Sequence, residues 1–267
     1  MTLSIRAGSA TATIDPADGG RLLSLVIDQF ETLGGAPPVQ GAPMGWYHGS
    51  FPMAPYAGLV RDSTVDFEGR SYRLQPNYGA HAGHGVVFDR PWSVAEHSAS
   101  RLVLGIALDE RWPWGGEVAQ VFDLEPGSLT MRLTVTNEQR RMPAALGYHP
   151  WFVRHPLGKG EASYSFKPLR RYAMDRDGFP QQPGPDLGSR PWDDVFTDLQ
   201  ADPAVSWEGG PTLRLSSDAP VWTLFERLDS GFCIEPLTAP PNSIGRARAA
   251  IVEPGVPLSL LFTIGWN

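Results

Sequence analysis

The sequence predicts an all-β protein, a large antiparallel β-sandwich with long loops. Two observations predict it. Glycine (29) and proline (26) are spread along all 267 residues and cut the chain into short segments, which suits strands and disfavours long helices. Within those segments apolar residues alternate with period two, and no amphipathic helix longer than a turn or two is recognisable. Many short strands at close spacing make a sandwich or a barrel. With 42 % apolar and 19 % charged residues the composition is that of a soluble globular chain, which excludes a long disordered one.

In chain order, Leu22–Ile27 is the first clear strand. Thr64–Phe67, a Glu68-Gly69 turn and Arg70–Leu74 read as a hairpin. Leu102–Leu108 follows. Glu117–Leu124 and Leu129–Thr136 flank the turn Glu125-Pro126-Gly127-Ser128. In the second of these, Leu129, Met131, Leu133 and Val135 share one face, and Thr130, Arg132, Thr134 and Thr136 the other, the pattern of a half-buried antiparallel strand. Ala162–Phe166 is next. From Pro168 to Pro211 the chain is rich in Pro, Gly and Asp with little periodicity, and is expected to be a long loop excursion. Thr212–Leu215, Val221–Phe225, Phe232–Glu235, Ala247–Val252 and Leu258–Ile264 resume the strand pattern. No linker, repeat or low-complexity tract divides the chain, so residues 1–267 are expected to form a single domain.

With 22 Lys+Arg against 29 Asp+Glu the net charge is −7, which argues against nucleic acid or an anionic membrane as partner. Only Lys159 and Lys167 are lysines, which leaves few candidates for Schiff-base chemistry. A single cysteine, Cys233, cannot form an internal disulfide. The N-terminus lacks the pattern of a signal peptide and no segment approaches a membrane span. A cytoplasmic protein, monomer or homodimer, is expected. Walker, GxGxxG and GxSxG motifs are absent, so nucleotide cofactors and serine-hydrolase chemistry lose support.

What remains is acid–base equipment among aromatics. His81 and His84 lie in Gly79-Ala80-His81-Ala82-Gly83-His84-Gly85, and His149 in Leu146-Gly147-Tyr148-His149-Pro150-Trp151-Phe152. Small residues there let a ligand or a backbone approach closely, and aromatic faces suit the C–H faces of a sugar as well as a core. A zinc site on His81, His84 and His149 has weak spacing, because residues three apart in an extended segment point to opposite faces. Glu235, in Phe232-Cys233-Ile234-Glu235-Pro236, reads as a carboxylate where a strand ends at a rim, with a pKa that partial burial raises. Arg61 closes the apolar run that begins at Phe51 and can fork onto hydroxyls, or pair with Asp62. Asp193 and Asp194, in Trp192-Asp193-Asp194-Val195-Phe196, are acceptors for sugar hydroxyls or ordinary turn residues.

These pieces, in this order, resemble the aldose 1-epimerase (galactose mutarotase) family: Phe51-Pro52-Met53-Ala54-Pro55-Tyr56-Ala57-Gly58, His84-Gly85 with Asp89-Arg90-Pro91-Trp92, Trp112-Pro113-Trp114, Asn137, Met142-Pro143, Gly147-Tyr148-His149-Pro150-Trp151-Phe152, Trp192-Asp193-Asp194-Val195-Phe196 and Cys233-Ile234-Glu235-Pro236. The resemblance runs from about Phe51 to Glu235. It implies a galactose mutarotase-like supersandwich with an open sugar cleft, and interconversion of α and β anomers of a free hexose without cofactor or metal. It implies Glu235 as general base, His149 as the acid on the ring oxygen, and His84 as a second histidine that binds and polarises the sugar. Asp193, or Asp194 if the register slips by one, would bind hydroxyls. The family's binding arginine usually follows the residue matched by Gly58. Here that position is Leu59, and Arg61 lies two further on, on the same strand face. Related sequences often carry Asp at the position of Asn242.

Trp46, Trp114, Tyr148 and Trp151 are candidates for the sugar platform, Trp151 and Trp114 foremost. Anomerisation needs an ionised base and a protonated acid at one pH, for which surroundings that raise His149 and leave Glu235 ionised would suffice. Three other readings compete. A hexose-6-phosphate epimerase would gather Arg61, Arg90, Arg154 and Arg176. A non-catalytic carbohydrate-binding domain would use the same scaffold. A zinc-dependent β-barrel enzyme would use His81, His84 and His149.

Overall fold

Alternation of side chains along each strand sorts the chain into two large sheets, and the pairings between named strands are all antiparallel among the described residues. The computed structural model describes residues 1–37, 43–157, 160–246 and 249–267. One sheet has eleven strands. Its order is Leu3–Ala7, Ala10–Asp15, Arg21–Ile27, Ser50–Met53, Gly147–Val153, Gly231–Leu237, Val221–Leu228, Asp193–Leu199, Pro168–Met174 and Pro180–Gly184, with Phe30–Glu31 paired to Arg21–Ile27. The second sheet has eight strands, ordered Ser93–His97, Arg101–Ala107, Glu117–Glu125, Ser128–Thr136, Leu258–Trp266, Thr212–Ser217, Ala204–Ser206 and Ser163–Ser165. No helix among the described residues is long and apolar enough to cross a membrane.

The sheets pack face to face over one core. Tyr148, Phe152, Trp222, Leu224, Phe232 and Ile234 project from the larger sheet against Leu133, Phe262 and Ile264 of the smaller. Tyr148 and Phe262 meet with ring centroids 5.9 Å apart. The alternate residues of the same strands turn to the other face of the larger sheet. There a second cluster gathers Trp46, Phe51, Met53, Phe88, Tyr172, Val195, Val221 and Leu237. Apolar burial on both faces explains why these central strands read as continuous apolar runs.

Register arranges that second face. Gly147 pairs Leu237 and Trp151 pairs Cys233, which sets His149 opposite Glu235. His149 pairs Phe51 on its other side. Glu235 pairs Thr223, and Thr223 pairs Val195. Leu22 pairs Ser50, which brings Arg21 beside Phe51. A single row therefore crosses the sheet: Arg21, Phe51, His149, Glu235, Thr223, Val195. Pro150 and Pro236 have no N–H to give, and partner pairs between their strands skip from Gly147–Leu237 to Trp151–Cys233. The ladder is interrupted beside the two ionisable groups.

The hairpin Glu117–Glu125/Ser128–Thr136 and the hairpin Thr64–Phe67/Arg70–Arg73 form as the sequence predicts. Three expectations are corrected. The stretch 168–211 contains the strands Pro168–Met174, Pro180–Gly184, Asp193–Leu199 and Ala204–Ser206. Within these strands its prolines stand at a strand start, Pro168, or on the edge strand Pro180–Gly184, where a missing N–H is tolerated, and the others fall between strands. Glu235 does not end its strand, which runs on through Pro236 to Leu237. Of the expected strand Ala247–Val252, Ala250–Val252 forms, while Ala247 and Arg248 lie outside the described residues.

Arg21 is fully buried at one end of the row. Its Nε donates to Asp18 at 2.8 Å, its other nitrogens donate to the carbonyls of His48 at 3.0 Å and Phe88 at 3.4 Å, and its guanidinium lies 5.0 Å over the Phe51 ring. A hydrogen bond from His48, together with Arg21, lowers the Asp18 pKa to about 2. The stability that this carboxylate contributes is full above its unfolded value of 3.8 and is lost as the pH falls through about 2. Asp18→Asn is expected to lower the unfolding free energy at pH 7 by about 1–3 kcal/mol, the loss of the charged partner of a buried group. In urea titrations the gap between wild type and variant should narrow steadily from pH 5 towards pH 2. A gap independent of pH would remove the ion pair from this role.

Candidate active site

His149 Nε2 lies 3.5 Å from Glu235 Oε1. The two residues are 8 % and 5 % exposed, yet both border a cavity of about 1040 Å³. The His149 ring is held flat between Phe51, stacked at 4.6 Å, and Trp151, stacked at 5.7 Å. Trp151 is fixed in turn by an indole N–H donated to the Trp46 carbonyl at 2.7 Å.

His84 reaches the same place from a turn. The short strand Ala82–Gly83 pairs with Leu59–Val60, and the His84 N–H donates to the Gly58 carbonyl at 2.9 Å. His84 and Gly85 both have positive φ, 57° and 82°. A Cβ on Gly85 would fall 2.1 Å from the Ala54 carbonyl oxygen, so only glycine fits. This turn stands the His84 ring edge-on to Trp46 at 4.3 Å and to His149 at 5.2 Å, with Nδ1 2.8 Å from the Met53 sulfur.

Burial governs the charges. It pushes the Glu235 carboxyl well above the usual carboxylate range, and neighbouring Asp193 pushes it further. It pushes His149 well below the ordinary imidazole value, with help from His84 and Arg21. His84 falls to about 3 through burial alone. The rise of Glu235 agrees in direction with the burial expected from sequence, while His149 is shifted down and not up. The low-dielectric wall favours the neutral form of each group. With both groups in that neutral form, the ionisable proton of the pair sits on Glu235.

Register separates the two aspartates. Asp193 pairs Phe225 and Val195 pairs Thr223, so Asp193 shares the Glu235 face of the sheet. Its carboxyl is half-exposed, 3.9 Å from Arg227, and its pKa is raised by the surrounding wall. Asp194 points to the opposite face and is held by Arg171 at 3.1 Å, although both residues border the cavity.

Other sequence candidates are placed elsewhere. Trp114 does not line the cavity. It is 7 % exposed inside the core, on Phe67, Tyr72 and Trp112. Tyr148 faces the other sheet. The Arg61 guanidinium is taken up by Asp175 and by Asp177, the latter at 2.8 Å, and does not line the cavity. The expectation that Trp114 and Arg61 touch substrate is corrected on these grounds. Trp46, Trp151, His81 and Leu59 do line the cavity. His81 accepts the Asp62 N–H on Nδ1 at 2.9 Å. Among the described residues, the one group of three His, Cys, Asp or Glu donors within 4.8 Å of one another is His149, Cys233 and Glu235. The trio His81, His84 and His149 is not assembled as zinc ligands.

Residues 1–170 match the sequence profile of the aldose 1-epimerase family. The chain belongs to the aldose 1-epimerase family. The Escherichia coli (strain K12) protein YphB is 33 % identical over 118 residues, 43 % of this chain and 40 % of that protein, so the match spans two fifths of that relative's length. A putative aldose 1-epimerase from Escherichia coli K12 has the same fold at 19 % identity, with a TM-score of 0.85 over 100 % of this chain and 99 % of that one. A galactose mutarotase-like protein from Lactobacillus casei gives 18 % and 0.81 over 100 % of both chains. A galactose 1-epimerase from Lactobacillus acidophilus gives 13 % and 0.78 over 100 % of this chain and 94 % of that one.

In this family member the cavity also takes lining from Asp177, Phe179, Thr223, Phe225 and Arg227, which sequence reasoning did not single out. Asp177 and Phe179 lie in the stretch read as loop, and Thr223 carries no signal of its own until register sets it beside Glu235. The electrostatics give a spectroscopic expectation. At pH 7 the infrared difference between wild type and Glu235→Gln should show a protonated carboxylic acid lost in the variant, and nitrogen NMR should find His84 and His149 neutral at pH 6. A carboxylate difference band would overturn the neutral pair.

Proposed function

We propose that the protein interconverts the α and β anomers of an uncharged hexose, with Glu235 and His149 as the proton-transfer pair. The observation that carries this is the buried carboxyl–imidazole contact on the wall of an aromatic cavity. Ring opening requires one group to take the proton of the anomeric hydroxyl while another gives a proton to the ring oxygen. Ring closure on the other face runs the same transfers backwards.

A pair with one proton between two groups meets that need. Moving that proton from Glu235 to His149 yields the carboxylate base and imidazolium acid with no change in net charge. Charge-assisted hydrogen bonds to sugar hydroxyls would stabilise this form in a way that an empty, apolar wall does not. His84, kept neutral, offers a ring N–H or a lone pair to a sugar oxygen. Asp193 supplies a two-pronged acceptor for hydroxyls. Trp46 and Trp151 offer aromatic surface for the sugar's C–H faces.

The charges favour an uncharged sugar over a sugar phosphate. Arg171 and Arg227 line the cavity, and each faces an aspartate, Asp194 at 3.1 Å and Asp193 at 3.9 Å. Of the arginines a phosphate would gather, Arg90 pairs with Asp109, Arg154 with Glu161, Arg176 with Asp177, and Arg61 with Asp175 and Asp177. None of these four lines the cavity.

The test is polarimetric. Fresh α-D-glucose and α-D-galactose should mutarotate faster with the protein, and Glu235→Gln should lower kcat/KM by about 10²–10⁴-fold, the range for one positioned proton-transfer group. Inorganic phosphate should not inhibit. Because His149 is shifted down and Glu235 up, the one-proton pair spans a wide interval. The kcat/KM profile should therefore be flat through neutrality, falling in acid as the pair gains a second proton and in alkali as it loses its only one. No acceleration on either sugar, with sugar affinity intact in Glu235→Gln, would favour a non-catalytic binding domain.

A further inference from the structure

Arg61 stands beside the cavity without lining it, and the charged and aromatic partners of its guanidinium, Asp175, Asp177 and Phe179, belong to one short loop. The connection between the strands Pro168–Met174 and Pro180–Gly184 supplies Asp177, Gly178 and Phe179 to the cavity wall. Arg61 donates to Asp175 in a short bond and to Asp177 at 2.8 Å, and its guanidinium lies 4.3 Å over the Phe179 ring. Asp175 organises the loop from inside. Its Oδ1 accepts the N–H groups of Asp177 and Phe179, both at 3.0 Å, and its Oδ2 accepts from Gln181 at 3.1 Å. The base of the clasp is also fixed. The Arg61 N–H donates to Asn242 Oδ1 at 3.1 Å, and the His81 ring meets Phe179 edge-on at 5.2 Å.

We propose that Arg61 is a positioning residue that acts on sugar affinity through the loop 175–179, holding the Asp177 carboxylate and the Phe179 ring at the cavity wall. The sugar-binding part of this rests on the anomerase reading above, whereas the ordering of the loop does not. An acceptor carboxylate and an aromatic face are the two surfaces an uncharged sugar uses. With two carboxylates on its fork and a ring beneath it, Arg61 is engaged within the protein. Loosening the loop would withdraw part of the binding surface and leave the Glu235–His149 pair in place, so affinity should change more than turnover.

The first measurement needs no sugar. Hydrogen exchange at the amides of Asp177 and Phe179 should be at least tenfold faster in Arg61→Met and in Asp175→Asn than in wild type, with Arg61→Lys intermediate. Trypsin should cut faster after Arg176, whose side chain is 92 % exposed within the loop. The second measurement uses α-D-galactose and α-D-glucose by polarimetry. Arg61→Met and Asp175→Asn should each raise KM about tenfold with kcat within about threefold. The double variant should be no worse than either single one, because both disrupt one unit.

Unchanged exchange in Arg61→Met would overturn the clasp. So would a raised KM in Arg61→Met with an unchanged or lowered KM in Asp175→Asn, the pattern of an arginine that Asp175 withholds from direct sugar contact. If wild type accelerates neither sugar, the anomerase reading fails. The exchange and proteolysis results then decide the clasp alone.

Discussion

Everything at this site depends on keeping strand register across the larger sheet. A carboxyl and an imidazole meet at 3.5 Å, both nearly buried in the wall of the cavity. Neither group has a helix or a tight turn to aim it. Each is aimed by being the alternate residue of a central strand, on the face that the core does not use. A slip of one residue in Gly231–Leu237 would turn Glu235 into the core and bring Ile234 to the cavity. The two apolar clusters on opposite faces oppose such a slip, since each strand is filled on both sides.

The electrostatic character follows from that placement. Strand walls carry no helix-dipole termini, and around the pair stand aromatic rings, a thiol and a second histidine, with Asp193 and Arg21 adding their charges. Such surroundings stabilise uncharged forms. The cations near the cavity are matched by aspartates, so the field a ligand meets is close to neutral or acidic. That is the physical basis of the proposed preference for an uncharged sugar, because a phosphate would lose its hydration without gaining an unpaired guanidinium from Arg171 or Arg227.

Much of this was legible in the sequence, for identifiable reasons. The period-two strands 117–125 and 128–136 declare themselves because one face is wet and the other dry. Glu235 and His149 are singled out by short apolar and aromatic contexts. The stretch 168–211 was opaque because its strands lie toward a sheet edge and are interrupted by proline, so alternation is short and incomplete. Asp193 could not be told from Asp194 until pairing with Phe225 fixed its face. Trp114 reads like a platform residue in sequence, and only three-dimensional packing puts it against Tyr72. The direction of the His149 shift also depends on neighbours remote in sequence, Arg21 and His84.

The row that contains the Glu235–His149 pair has a consequence for how the site is formed. Its members, from Arg21 through Phe51 and His149 to Val195 and Glu235, are contributed by segments separated by most of the chain. Contacts of such high sequence separation form late, after loop closure has been won against chain entropy. No local fragment or hairpin brings together His149 and Glu235, which meet only when the strands Gly147–Val153 and Gly231–Leu237 pair. The site is therefore a property of strands already assembled into the sheet, and strands that have not yet paired offer no part of it.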